Sequence, residues 1–156
     1  IMKLDDLAAK LIKLDNDIKY LVSASRFDWY DDLSGIEDWE AVTEDPNKLQ
    51  FMKEFIGVMR KLQDVSWTMD YLTKPVEATG RLTRKINGRY ALNGHEFTSG
   101  CGIEYYCTDD ENYYDSDDDR CKPYWAASRV EYNGSNYYIV GCKKDITEVQ
   151  VRYRSR

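Results

Sequence analysis

Asn-Gly pairs set between short runs of Tyr, Val and Ile constrain this chain more than any other feature. Asn93-Gly94 separates Arg89–Leu92 from His95–Phe97, and Asn133-Gly134 separates Arg129–Tyr132 from Tyr137–Val140. Both residue types accept the positive φ that a two-residue type I′ turn demands, so each pair predicts a β-hairpin. Strands are expected near Leu82–Ile86, Arg89–Leu92, His95–Thr98, Ile103–Cys107, Tyr124–Tyr132, Asn136–Cys142 and Glu148–Tyr153. Seven short strands with tight turns suggest a small antiparallel β-barrel, SH3-like or similarly half-open. Alternation puts Val149, Val151 and Tyr153 inside the last strand and Gln150, Arg152 and Arg154 outside.

The first half of the chain has a helical period instead. Leu4, Leu7, Leu11, Leu14, Ile18 and Leu21 recur at three- and four-residue steps, which predicts a helix from about Lys3 to Val22. A second helix begins at Asp45, a natural N-cap, with Pro46 in the first helical position where no N–H is needed. Its stripe is Phe51/Met52, Phe55, Met59, Leu62, Val65/Ser66, Met69 and Leu72, and it ends at Lys74-Pro75. One such stripe needs a partner, so the two helices are expected to pack as an antiparallel hairpin. Between them lie Phe27, Trp29, Tyr30, Leu33, Ile36 and Trp39 among acids, with a short helix expected at Ile36–Val42. The expected class is therefore α+β: residues 1–75 form a helical hairpin with an aromatic-acidic connector, and residues 76–156 form the small barrel. Pro75–Gly80 reads as the joint between them.

Charge is divided unevenly. The chain carries a net charge of −6, and seven of its acids (Asp109, Asp110, Glu111, Asp115, Asp117, Asp118, Asp119) fall within residues 108–119, which contain no Lys or Arg. Outside that loop the β half is basic. Such a split steers association with charged partners. No apolar run is long enough for a membrane span or a signal core, so the expected location is the cytoplasm, with no membrane partner.

Chemistry is scarce. The four cysteines, Cys101, Cys107, Cys121 and Cys142, have no zinc-ribbon spacing and read as reduced thiols, with Cys107–Cys121 the pairing to consider under oxidation. His95 is the sole imidazole and directly follows Asn93-Gly94, where a polar residue opening a return strand needs no catalytic role. Asp115, Asp117 and Asp119 match the first ligand positions of a calcium loop, but Arg120 replaces its Gly and Ala126 its closing Glu. No phosphate-binding loop or dinucleotide motif occurs. The expectation is no enzyme, no catalytic residue, no metal and no cofactor.

Gly88–Leu92, Asn93–Gly100, Ile103-Glu104, Trp125, Arg129–Gly134, Tyr137–Gly141 and Val149–Arg154 together resemble a family of small, functionally uncharacterised β domains encoded by phages and mobile elements of Gram-positive bacteria. The resemblance spans residues 81–154 and brings no active site with it. The long acidic loop and the helical segment depart from its pattern, and both are where a function particular to this chain is expected.

Joined to the low pI, the small size and the missing catalytic set, the resemblance leads to a non-enzymatic phage or mobile-element protein that binds and inhibits a host defence component. In its specific form it is an anti-CRISPR-like protein whose acidic surface occupies the nucleic-acid channel of an effector nuclease, since such channels are lined by Lys and Arg. The expected partner-binding residues are Asp109, Asp110, Glu111, Tyr113, Tyr114, Asp115, Asp117, Asp118 and Asp119 on the loop. Trp29, Tyr30, Asp31 and Asp32 on the connector join them, because aromatics add affinity where charge alone steers. The alternative is a nucleic-acid-binding accessory protein. It would use Arg81, Arg84, Lys85, Arg89, Arg129, Lys143, Lys144, Arg152, Arg154 and Arg156 as a basic stripe and Tyr90, Tyr137 and Tyr138 as stacking platforms. A monomer is expected over a dimer formed through the helical stripe.

Overall fold

A computed structural model describes residues 1–28, 33–108 and 123–155, and it is α+β, with a helical region preceding antiparallel sheets. The chain divides into two compact units, Ile1–Thr73 and Lys74–Arg156.

The first unit contains α1 (Leu4–Ser25), α2 (Trp39–Glu44) and α3 (Pro46–Thr73). α1 runs three residues beyond the expected Val22 and stops where Arg26 turns left-handed, at φ 52°. The Phe27 N–H then returns to the Val22 carbonyl at 3.1 Å, closing the last turn. α2 starts three residues later than the expected Ile36. α3 begins as expected: the Asp45 carboxylate accepts from the Asn47 N–H at 2.9 Å, and Pro46 occupies the first turn.

The contact between α1 and α3 is more polar than the sequence stripes imply. Of the six stripe residues on α1 only Ile18 is buried, and it is joined there by Asp15; on α3 the buried residue is Ser66. Lys19 bridges the helices, 2.7 Å from Asp15 and 2.5 Å from Asp70. Of the expected α3 stripe, Phe51, Phe55, Val65 and Leu72 are exposed, whereas Met52, Met59, Leu62 and Met69 are half-buried and Ser66 is buried. A buried carboxylate must be paired to be tolerated, so Asp15 selects the α3 face that offers Ser66 and Asp70.

In the second unit a five-stranded sheet runs β1 (Val76–Gly80), β8 (Val151–Arg154), β5 (Gly102–Cys107), β6 (Tyr124–Tyr132), β7 (Tyr137–Ile139). A three-stranded sheet holds β2 (Thr83–Arg84), β3 (Tyr90–Leu92) and β4 (His95–Phe97). All pairs are antiparallel. The described strands form these two sheets and no closed barrel, with β1 and β7 standing as edges. The segment read as a joint, Pro75–Gly80, instead contains the strand β1, Val76–Gly80, paired with β8. Both sheets feed one core: Phe97, Ile103, Val130, Ile139 and Val151 are almost fully buried, and Ile146 and Val149 enter from the segment before β8. Val149, Val151 and Tyr153 point inward as expected.

The Asn-Gly pairs take two forms. Asn93 (φ 49°) and Gly94 (φ 80°) are both left-handed between the paired residues Leu92 and His95, the expected two-residue turn. At Asn133-Gly134 only the glycine is left-handed, and the loop has four residues between the paired Tyr132 and Tyr137. The Asn133 side chain accounts for the extra length, since its oxygen accepts from the N–H groups of Ser135 (3.0 Å) and Asn136 (2.9 Å). A third pair, Asn87-Gly88, sits in the turn between β2 and β3, and the Asn87 side chain accepts from the Arg89 N–H at 3.0 Å.

Candidate functional site

The residues expected to bind a partner all lie outside the described residues: Asp109, Asp110, Glu111, Tyr113, Tyr114, Asp115, Asp117, Asp118 and Asp119, and Trp29, Tyr30, Asp31 and Asp32. Cys121, Arg120 and Arg156 do so as well. What the structure describes is how the two segments are rooted.

The acidic segment joins β5 to β6, the central hairpin of the larger sheet. Six residue pairs hold its base, from Gly102 opposite Arg129 up to Cys107 opposite Tyr124. At the root, the Lys144 ammonium donates to the Thr108 hydroxyl at 3.0 Å. The connector segment is pinched in a similar way. Phe27 and Leu33, both buried, form an antiparallel bridge across residues 28–32. Next to it the Gly35 N–H reaches the Ser25 carbonyl at 3.0 Å. A Cβ at Gly35 would meet the Ala24 carbonyl and lie 2.6 Å from the Ser25 carbonyl carbon, so this close approach requires glycine.

Beside the acidic root lies a cluster that the sequence reading missed. Glu104, 3 % exposed, receives Nε of Arg152 and, at 2.7 Å, Nε of Arg154. The Arg152 guanidinium also lies 4.5 Å from the Trp125 ring centre, and Tyr106 packs on the same indole at 5.2 Å. Arg154 further donates to the Lys74 carbonyl at 2.8 Å. Glu104 is on β5, both arginines are on β8, and Trp125 is on β6, so one face of three adjacent strands is tied together. The signals were a lone Glu between Ile103 and Tyr105, and Arg at alternate positions of the last strand. The buried carboxylate is thus shared by two guanidinium groups, and the arrangement acts as a structural clamp across the three strands.

Ion pairs also engage four cations of the expected basic stripe. Arg152 and Arg154 are committed to Glu104, Arg129 to Glu131 at 2.7 Å, and Arg89 to Glu96 at 3.6 Å. Of the expected stacking rings, Tyr90 is buried in the core and Tyr137 packs against it, while Tyr138 is exposed. Arg84, Asn87, Tyr90, Tyr132 and Tyr137 line a cleft of about 200 Å³ between the β2–β3 turn and the β6–β7 loop. His95 stacks on Tyr153 and meets Phe97 edge-on, each at 4.7 Å, which is a packing role. Among the described residues no three His, Cys, Asp or Glu side chains converge as a metal site, and no helix is long and apolar enough to cross a membrane.

Asp15, Lys19 and Asp145 are displaced from their ordinary values. Burial pushes the Asp15 carboxyl up, but hydrogen bonds from Lys19 and Ser66 and the Lys19 charge outweigh it and bring it below the usual range. The hydrogen bonds to Asp15 and Asp70 hold Lys19 above its ordinary value. Hydrogen bonds from the Thr147 side chain and backbone lower Asp145.

Residues 80–153 match a family described as a domain of unknown function (DUF5348), nearly the span over which the sequence resembles an uncharacterised small β domain. That description carries neither an origin nor an activity. The chain matches no curated protein and no solved structure.

Proposed function

We propose that this is a non-enzymatic binding protein that lays the acidic segment Asp109–Asp119 into a cationic groove of its partner. In the specific form we favour, the protein comes from a phage or mobile element. The partner is a host defence effector of the anti-CRISPR-target kind, and the groove is one that normally grips nucleic-acid phosphates. The observation that carries this reading is the seven acids without a base in residues 108–119, in a segment that joins two strands paired over six positions. A rooted anionic segment loses less freedom on docking than a free tail would. The pairing of Arg89, Arg129, Arg152 and Arg154 with carboxylates weighs against the alternative of nucleic acid held on a basic face.

The test compares the parent with Asp115→Asn/Asp117→Asn/Asp118→Asn/Asp119→Asn in DNA cleavage by purified RNA-guided effector nucleases. The parent is expected to suppress cleavage, and the variant to need at least about tenfold more protein, with the difference shrinking as salt rises. Equal inhibition by both proteins, or none by the parent, would sink the mimic. A gel-shift titration at low salt is expected to give no complex with bare duplex or single strands; a complex would instead support the accessory-protein alternative.

A further inference from the structure

We propose that α1 is a self-association surface, pairing antiparallel with α1 of a second copy of this chain. Leu4, Leu7, Leu11, Leu14, Ile18 and Leu21 keep the alternating three- and four-residue steps of a coiled-coil seam. Among the described residues, Ile18 is the seam position that the chain buries. The five leucines remain 38–79 % exposed, whereas Ile18 is 2 % exposed. A run of exposed leucines along one line of a helix is the kind of apolar surface that proteins keep for a partner.

Charge identifies the partner as a second copy. With Leu4, Leu11 and Ile18 at the first seam position and Leu7, Leu14 and Leu21 at the second, Lys10 and Asp17 both occupy the same flanking position. In an antiparallel pair that position meets itself. The alignment setting Leu11 against Leu14 of the second copy also sets Leu4 against Leu21, and it leaves Leu7 beside Ile18, which the chain already buries, so the contact is made by the layers of Leu4, Leu11, Leu14 and Leu21. It places Lys10 opposite Asp17 of the second copy, and two-fold symmetry repeats that ion pair. Neither residue makes an ion pair within the chain among the described residues. A parallel pair would instead need Lys10 to find Asp15 of the second copy, but Asp15 is buried and already held by Lys19.

The size of the surface sets the expected strength. Twenty-two residues give a helix about 33 Å long and about 10 Å wide, so each copy offers a strip of roughly 300 Å². A standard interface uses about 800 Å² per partner. The dimer is therefore expected to be a weak, reversible one.

Light scattering of the full chain from about 1 μM to about 300 μM tests this. The mass is expected to climb from 18.3 kDa toward twice that value. Leu11→Glu, at a position exposed in the single chain, is expected to keep the helical circular dichroism and raise the dissociation constant at least about 100-fold. Lys10→Asp is expected to raise it about fivefold, and adding Asp17→Lys to restore it. A mass of 18.3 kDa at every concentration overturns the proposal. A dimer that survives Leu11→Glu moves the interface elsewhere. If Leu11→Glu unfolds the helices, the two surface-charge variants decide: no loss with Lys10→Asp, or no recovery in the swap, overturns the antiparallel pairing.

Discussion

Removing the carboxylate of Glu104 is the sharpest test of how the β unit is held together. Its side chain is 4 % exposed, while those of Arg152 and Arg154 are 22 % and 15 % exposed. Glu104→Ala leaves two guanidinium groups side by side on β8 without their counter-charge. Breaking a buried ion pair from one side costs about 3–5 kcal/mol. Here Arg154 keeps the Lys74 carbonyl and Arg152 keeps the Trp125 ring. The lower end, about 3 kcal/mol, is therefore expected. Glu104→Gln preserves shape and one acceptor oxygen, and should cost about half as much. A unit of this size holds about 4–12 kcal/mol in all, so the alanine variant forfeits a large share. Urea unfolding of the full chain, followed by near-ultraviolet circular dichroism of the aromatic side chains, measures the loss. The control is Glu104→Met/Arg152→Leu/Arg154→Leu, expected within about 1 kcal/mol of the parent because all three charges leave together. An alanine variant that unfolds at the parent's urea midpoint would refute the clamp. A triple variant as unstable as the alanine variant would mean that shape, and not charge, was lost.

Two further outcomes concern the helical unit. Asp15 is held below its ordinary pKa, so its contribution is present above the unfolded carboxyl value of about 3.9 and is lost as pH falls through the lower folded value. Lys19 is held above its ordinary value, so its contribution is complete below about 10.4 and is lost as pH rises through the higher folded value. Thermal unfolding against pH should therefore fall off less steeply at the acid end in Asp15→Asn and at the alkaline end in Lys19→Met, and an unchanged slope in both variants would remove the bridge from the account. Gly35→Ala drives a Cβ into the Ala24 and Ser25 backbone and is expected to destabilise the unit by about 1–3 kcal/mol and to speed proteolysis within residues 28–33; an unaltered melting curve and digestion rate would show that the close approach is not required.

What the sequence made legible was periodic or strictly local. The ends of α3, the Asn93-Gly94 turn and the inward set Val149, Val151 and Tyr153 follow from the residues standing at those positions. β1 was hidden because Pro75 and Gly80 bracket it like a joint, and only its pairing with β8, distant in sequence, makes it a strand. Asn133-Gly134 and Asn93-Gly94 are the same dipeptide, and what separates them is the Asn133 side chain reaching the amides of Ser135 and Asn136. Glu104 gave no sign of its partners, since nothing local ties residue 104 to residues 152 and 154.

The α1–α3 contact has the same logic with a larger consequence. α3 carries two adjacent stripes at heptad spacing. One is apolar (Phe51, Phe55, Val58, Leu62, Val65), and the other runs from Met52, Ile56 and Met59 into Gln63, Ser66 and Asp70. Counting apolar residues favours the first stripe. The folded chain turns the polar end of the second toward α1, because Asp15 cannot be buried without partners, and Ser66 and the Asp70-paired Lys19 supply them. A hydrophobic pattern shows that a helix face will be covered but not by what, whereas a buried charge names its neighbour. Once Asp15 and Lys19 have fixed that neighbour, the leucines of α1 and the phenylalanines of α3 remain outside. The same choice that makes the intramolecular contact polar therefore leaves the apolar stripes available to a second chain.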